Sequence, residues 1–292
     1  MQNQPAVRIQ RILFYLAIAL VLFALILPLI SFVLNAFAFR WFYPQLIPEE
    51  WSLQAWERLQ LIPQEGQRTL ENWFRLLAAG SPVVDATITS LLIGGVVTLI
   101  SVIIGLPAAR ALGLYQFRGK RLVEFLILAP TIVPVIAFSL GLNINFIRWG
   151  LSGTIFGVAL VHLVPVMPYV VLTLSGVFAN YNAEFEEQAR TLGAGPIRTF
   201  WYVTLPAILP GIVVASLFAF LVSWSQYLLT FLIGGGRVIT MPILLFSTAS
   251  GGNNPVIAAL SLIFIAPAIL TLLVTSRYLS GESGAVGGFG RI

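Results

Sequence analysis

Apolar residues run along this chain in long unbroken blocks, with the charged residues gathered between them. Stretches free of Asp, Glu, Lys and Arg extend from Ile12 to Phe39, from Ala86 to Ala109 and from Phe125 to Ile147, which is 28, 24 and 23 residues. About 20 such residues, wound into a helix, cross the hydrocarbon core of a bilayer. Three further blocks each have room for one helix: roughly Thr154–Phe178, Ala207–Ile233 and Pro255–Thr275. Helices keep every backbone N–H and C=O paired where no water is present. The pattern therefore predicts an all-α integral membrane protein with six transmembrane helices.

The loops between the blocks set a direction. Arg8 and Arg11 precede the first span, Arg110, Arg118, Lys120 and Arg121 follow the second, and Arg190 and Arg198 follow the fourth. Lys and Arg collect on the cytoplasmic side of short loops, so these loops and both termini are expected inside. The long segment Arg40–Asp85 carries six acids and four arginines and is expected outside, as are Arg148 and Arg237. Ala36-Phe37-Ala38 resembles a signal-peptidase site, but the apolar block before it is 28 residues long. A signal peptide's core is about 7 to 15, so the block is read as a retained helix.

Composition agrees. Of 292 residues, 58% are hydrophobic and 9% charged, and the mean hydropathy is +0.94. A soluble domain keeps about a quarter of its residues charged to cover its surface. The net charge of +5 forms no basic stripe, so nucleic acid is not an expected partner and membrane lipid is. The absence of cysteine removes disulfides and thiolate ligands, and a single histidine excludes most histidine-based metal sites. No G-x-x-x-x-G-K-[ST] occurs, so the chain has no loop of that kind with which to cradle nucleotide phosphates.

Within Arg40–Asp85, "SLQAWERL" (52–59) and "TLENWFRL" (69–76) repeat one pattern 17 positions apart. Each has helical spacing, and Trp41, Trp51, Trp56 and Trp73 suit a membrane–water interface. Short helices on the outer surface, or a docking face for a soluble partner, are the two readings.

One segment breaks the apolar monotony. Between Glu184 and Arg198 lie five charged side chains. Asn180 and Asn182 are candidate helix caps, Glu184, Glu186 and Glu187 suit a first turn, and Phe185, Ala189 and Leu192 share a face. Gly193 and Gly195 are expected to end the helix and Pro196 to forbid its continuation, before Leu205-Pro206 leads back into the membrane. An ordinary interfacial helix between two spans fits this pattern as well.

Glu187-Gln188-Ala189, three residues, Gly193, nine residues, then Val203-Thr204-Leu205-Pro206 resembles the EAA loop of permease subunits of binding-protein-dependent ABC importers, written E-A-A, three residues, Gly, nine residues, I-x-L-P. Gln188 and Val203 depart from it, and the spacing is kept throughout. "ATITSLLIGGVVTLISVIIGLPAARAL" and "YQFRGKRLVEFLILAPTIVPVIA" are similar to the core domain of these permeases, and the likeness covers about residues 69–277. The resemblance implies the type I ABC importer permease fold in the bacterial or archaeal inner membrane. It divides the chain into a first span with external loop (1–82), a core transport domain (83–280) with its coupling loop at about 180–206, and a cytoplasmic tail (281–292). It implies a cytoplasmic ABC ATPase dimer, a second permease subunit (paralogue or copy) and an external solute-binding protein as partners. This chain would itself be non-catalytic and hold no cofactor, ATP and Mg belonging to the ATPase. Glu187, Ala189, Arg190, Gly193, Ala194, Gly195, Leu205 and Pro206 fall on the loop positions that couple to that ATPase.

The pathway is less legible. His162 is an ionisable residue in a span, a functional candidate by default, though a satisfied imidazole packed between helices is the plainer reading. Pro130, Pro134, Pro165 and Pro168 withdraw backbone donors and mark their helices as cavity-lining. Asn143, Asn145, Trp224, Gln226 and Tyr227 are the other polar or interface-type groups at membrane depth. "FLIGGGRVITMPILLFS" (231–247) and "VHLVPVMPYVVLTL" (161–174) look more like the polyamine, ferric-iron, thiamine and phosphonate branch than the sugar one. A polyamine or other small charged solute is thus expected, with a sugar-type importer as the alternative. An autonomous channel or secondary transporter is a further alternative, which the EAA spacing disfavours.

Overall fold

The computed structural model describes residues 4–41, 45 and 47–279, and the expected tail 281–292 lies outside the described residues. The first helix, α1 (Gln4–Ala36), is followed by a ribbon of β1 (Ala38–Arg40) and β2 (Glu50–Trp51), and by α2 (Gln54–Arg58) and α3 (Leu70–Ala79). Then come α4 (Pro82–Leu114), α5 (Lys120–Ile132), α6 (Val135–Arg148) and α7 (Ile155–Ala179). After α8 (Glu184–Thr191), α9 (Pro196–Thr199) and a π-turn (Phe200–Thr204), the chain continues into α10 (Leu205–Trp224), α11 (Leu228–Gly234), α12 (Met241–Ala249) and α13 (Asn254–Leu279).

Among the described residues, five helices are long and apolar enough to cross a membrane: Arg11–Ala36, Pro82–Leu114, Ile155–Ala179, Pro196–Trp224 and Asn254–Tyr278. The third expected span is a sixth crossing only as a broken one, because α5 and α6 meet at 96°. The break is local chemistry. Pro134 caps α6, and Val133 before it is extended (φ −77°, ψ 132°), as the residue preceding a proline is pushed to be. The expected fifth span also needs correction. Its helix stops at Trp224, and Ser225-Gln226-Tyr227 separate it from the short α11, although the apolar run continues to Ile233.

The described residues form two compact units, one within 4–83 together with Leu245–Ile265, the other Val84–Leu244 together with 266–279. The N-terminal unit thus takes in residues 245–265 from the far end of the sequence. In that unit the most apolar window of α1, within Arg11–Ala36, has no buried residue. Both copies of the repeat become helices, α2 and α3, and Thr69 caps α3 by accepting from the Asn72 N–H. Trp56 serves a purpose other than a free interface anchor. Its ring stacks on Phe37 at 5.4 Å and its Nε1–H donates to the Ala36 carbonyl at 3.0 Å, pairing a C-terminal carbonyl of α1.

The second unit has a core of Ile93, Val97, Val158, Val161, Val170, Leu174, Ile208, Ala215, Leu229 and Ile233, all buried. Gly105, Ala109 and Gly113 recur every fourth residue on one face of α4. A Cβ at Gly113 would stand 2.5 Å from the Phe178 Cβ and 2.7 Å from the Ser175 carbonyl oxygen, and one at Gly105 2.8 Å from Val170 Cγ1. Small residues at this spacing let two helices approach closely where lipid supplies no hydrophobic drive. This seam fixes α4 against α7, directly before the loop that carries the candidate site.

Candidate functional site

The loop from α7 to α10 is built by its own backbone chemistry. Asn180 ends α7, its side-chain amide donating to the Gly176 carbonyl, while the Asn182 Oδ1 accepts from the Glu184 N–H at 2.9 Å. Neither expected cap is the N-cap of α8, which is Ala183 with no side-chain cap; Asn182, one residue earlier, pairs the first helical N–H. The helix ends in a Schellman turn: the Ala194 N–H reaches the Ala189 carbonyl (3.0 Å) and the Gly193 N–H that of Arg190 (2.9 Å). Gly193 takes φ +85° to close it, a conformation in which a side chain is strained. Gly195 was expected to help end α8, but it is extended (φ −69°, ψ 164°) and caps α9 instead, with Pro196 at the first helical position.

The loop's outer surface is apolar for so polar a segment. Leu192 is 87% exposed and Ile197 76%, with Phe185, Trp201 and Tyr202 also open. Glu187, Arg190, Gly193 and Gly195 are exposed, Ala189, Ala194 and Leu205 half-buried, and Pro206 exposed.

Glu186, one residue before the motif's first position, points the other way. It is buried, with 5% of its surface exposed. Its Oε2 lies 2.6 Å from the Arg110 guanidinium and 3.7 Å from that of Arg190, and its Oε1 accepts from the Thr204 hydroxyl at 2.8 Å. Burial by itself would raise this carboxyl. The Arg110 and Thr204 hydrogen bonds, with the charges of Arg110 and Arg190, outweigh it and hold Glu186 below the usual carboxylate range. Beside it, burial chiefly pushes the Tyr181 phenol up. One carboxylate thus joins α8 to the end of α4 and to the π-turn leading into α10.

A second polar centre lies in the core. His162 is 1% exposed; its Nδ1 is 2.9 Å from the Ser223 hydroxyl and its Nε2 2.9 Å from that of Thr230. Thr230 donates its one hydroxyl proton to the Gln226 carbonyl at 2.8 Å, so it accepts from Nε2–H, and Nδ1 is left to accept from Ser223. α7, α10 and α11 are joined through this one ring. The other pathway candidates are spread around it. Trp224 is buried and stacks on Phe220 at 5.8 Å, Tyr227 stacks on Phe231 at 5.8 Å, and Gln226 is half-buried. On α6, which packs against α11, Asn145 is exposed and donates to the Gly141 carbonyl. The buried Asn143 Oδ1 has no partner among the described residues.

Residues 101–279 match the family model of the binding-protein-dependent transport system inner membrane component. The chain belongs to that family. As such a permease it is the membrane component of an ABC transporter, a multi-pass protein that works with an ATPase and a binding protein. It is 29% identical over 200 residues to the putrescine transport system permease protein PotI of Escherichia coli K12, covering 66% of this chain and 71% of that one. It is 31% identical over 195 residues to the molybdenum transport system permease protein ModB of Mycobacterium tuberculosis, covering 62% and 74%. Its fold matches the crystal structure of a bacterial ABC transporter involved in import of the acidic polysaccharide alginate. There the TM-score is 0.69 over 95% of this chain and 99% of that chain, at 18% identity.

Sequence reasoning placed Glu186 in a first helical turn, Arg110 among the inner-loop cations and Thr204 within the loop motif, but gave none of them a part in a common contact. Arg190 four residues on was the one available signal for Glu186, since (i, i+4) partners share a helix face. Arg110 lies 76 positions away, and no local pattern links it to Glu186.

Proposed function

We propose that this permease forms half of the translocation pathway of an ATP-driven importer, paired with a copy or paralogue of itself, and that residues 180–206 are its coupling element. In this reading the loop and both termini face the cytoplasm, as the arginine distribution requires, and an ATPase dimer receives α8. The observation that carries the reading is the loop's construction. A short helix is fixed at its base by Glu186 and closed by the Gly193 turn, and the segment through α9 leaves Phe185, Leu192 and Ile197 exposed. An exposed apolar set on a braced element is a docking surface rather than a solvated turn. Glu187 and Arg190 flank it as polar contacts, ATP and Mg belong to the partner, and a binding protein delivers solute from outside.

For the solute we favour a polyamine or another small charged molecule. The kinship to PotI supports this, as does the unpartnered carbonyl of Asn143, an acceptor that suits an ammonium. The kinship to ModB supports an oxyanion as the competing reading. Purified transporter in liposomes, with its binding protein and ATP, is offered labelled putrescine, molybdate and maltose. Accumulation of putrescine alone fits the favoured polyamine; accumulation of molybdate alone selects the competing oxyanion, and accumulation of maltose refutes a charged solute, each leaving the importer intact.

A further inference from the structure

The π-turn, the Glu186 carboxylate and the Arg110 guanidinium form one connected unit behind the proposed docking helix. We infer that Glu186 is the positioning residue that passes movement of α8 to two transmembrane helices at once, α4 through Arg110 and α10 through Thr204. The inference rests on the coupling role proposed for residues 180–206.

Three features of the structure support it. On α8 the Glu186 side chain is buried while the neighbouring Phe185 is exposed, and Leu192 stands open just past the helix end, so a push on the outer surface is delivered by a carboxylate on the adjoining, inward face. The carboxylate is nearly enclosed and uses both oxygens, one on Arg110 (2.6 Å) and one on Thr204 (2.8 Å). A charge-assisted contact of that length has little slack. Its two partners belong to helices that continue through the membrane: Arg110 is in Pro82–Leu114 and Thr204 in Pro196–Trp224.

The Thr204 end also sits where the helix is soft. Phe200–Thr204 is a π-turn, wound one residue wider than an α-helix, a feature frequent at functional sites. Pro206 and Pro210 lie just beyond it, and each withdraws a backbone donor from the ladder. Motion entering at Thr204 therefore meets a segment able to change its winding. The Arg110 end is held differently, because Arg110 lies within the close α4–α7 seam between Gly105 and Gly113. Pulling at Arg110 therefore acts on a helix packed tightly along α7, while pulling at Thr204 acts on the π-turn at the start of α10. A single carboxylate thereby links both elements to the docking helix.

The chain contains no cysteine, so a single introduced thiol reports without background. Ile144→Cys on the exposed side of α6 is labelled with a charged maleimide in the assembled transporter, with and without ATP, while ATP hydrolysis is measured on the same vesicles. In the otherwise unaltered chain ATP is expected to change the labelling rate. In Glu186→Gln, which keeps the shape and loses the charge, hydrolysis continues and the ATP-dependent change in rate shrinks by about fivefold or more. Arg110→Lys, which keeps the charge, retains most of the change, whereas Arg110→Gln does not. A merely structural residue would lower assembly and leave the response of the assembled fraction intact. An undiminished response in assembled Glu186→Gln overturns the inference; should that variant fail to assemble, an undiminished response in both Arg110→Gln and Thr204→Val overturns it. Absence of any ATP response in the unaltered chain, with no ATPase co-purifying, removes the coupling reading itself and this inference with it.

Discussion

Replacing His162 by alanine removes the ring that joins α7, α10 and α11, and the structure sets the size of the loss. Two side-chain hydrogen bonds disappear, each 2.9 Å long and wholly buried. Interhelical hydrogen bonds in membrane proteins contribute about 0.6 kcal/mol on average and up to about 1.7, so the pair gives roughly 1–3 kcal/mol. Removing a buried ring also leaves a void among residues that cannot collapse fully, which adds about 1–2 kcal/mol. The expected cost of His162→Ala is therefore about 2–5 kcal/mol. His162→Leu separates the two contributions. It fills the space, Thr230 keeps its bond to the Gln226 carbonyl, and Ser223 can turn back to a carbonyl of its own helix, so the cost falls to about 1–2 kcal/mol. Thermal unfolding of the purified permease in detergent, followed by intrinsic tryptophan fluorescence, should rank unaltered chain, leucine variant and alanine variant in that order. Uptake per inserted molecule should change only mildly in both. Unchanged unfolding temperatures with abolished uptake would refute this reasoning and place His162 on the solute route.

Gly193→Asp should abolish uptake with the protein still inserted. Gly193→Ala, strained only by φ +85° with open space around it, should cost about 1–2 kcal/mol and retain part of the uptake, which quantitative uptake assays of both variants will check. Gly113→Ala forces a methyl against a Cβ and a carbonyl that cannot swing aside, and overpacking of this kind costs about 1–3 kcal/mol, read as a lowered unfolding temperature. Because the Glu186 carboxyl is held below its ordinary value of 4.5, its contribution is fully present above that pH. It is lost as pH falls through the lower folded-state value. Unfolding temperatures measured between about pH 6 and pH 3 should fall less steeply in Glu186→Gln than in the unaltered chain.

The sequence made the spans legible because lipid imposes one rule on every backbone group, and long apolar blocks satisfy it visibly. The interruption between α5 and α6 was also foreshadowed, since Pro130 and Pro134 announce where donors are missing. What the blocks hid was the end of α10. Ser225-Gln226-Tyr227 break the helix inside an apolar run, and the break holds because neighbours absorb the polarity: Thr230 bonds the Gln226 carbonyl and His162 bonds Thr230. The first is a back-bond at the start of α11 and the second joins that helix to α7, and hydropathy registers neither. The loop shows the same division. Its turn was readable from Gly193, whose need for positive φ is local. The brace at Glu186 was not, because which of two adjacent glutamates faces inward depends on Arg110 and the packing of α4. The motif spacing drew attention to exposed Glu187 and away from its buried neighbour.

The central claim is that this permease works in an ATP-driven importer through residues 180–206. Purification of the tagged chain from its native membranes in mild detergent, with the co-purifying proteins identified by mass, tests it most directly. Recovery of an ATPase, together with a second permease or a binding protein, and loss of that ATPase from Gly193→Asp is the predicted result. Recovery of the chain alone, with Glu187 and Gly193 tolerant of substitution, would contradict the account and indicate an autonomous channel.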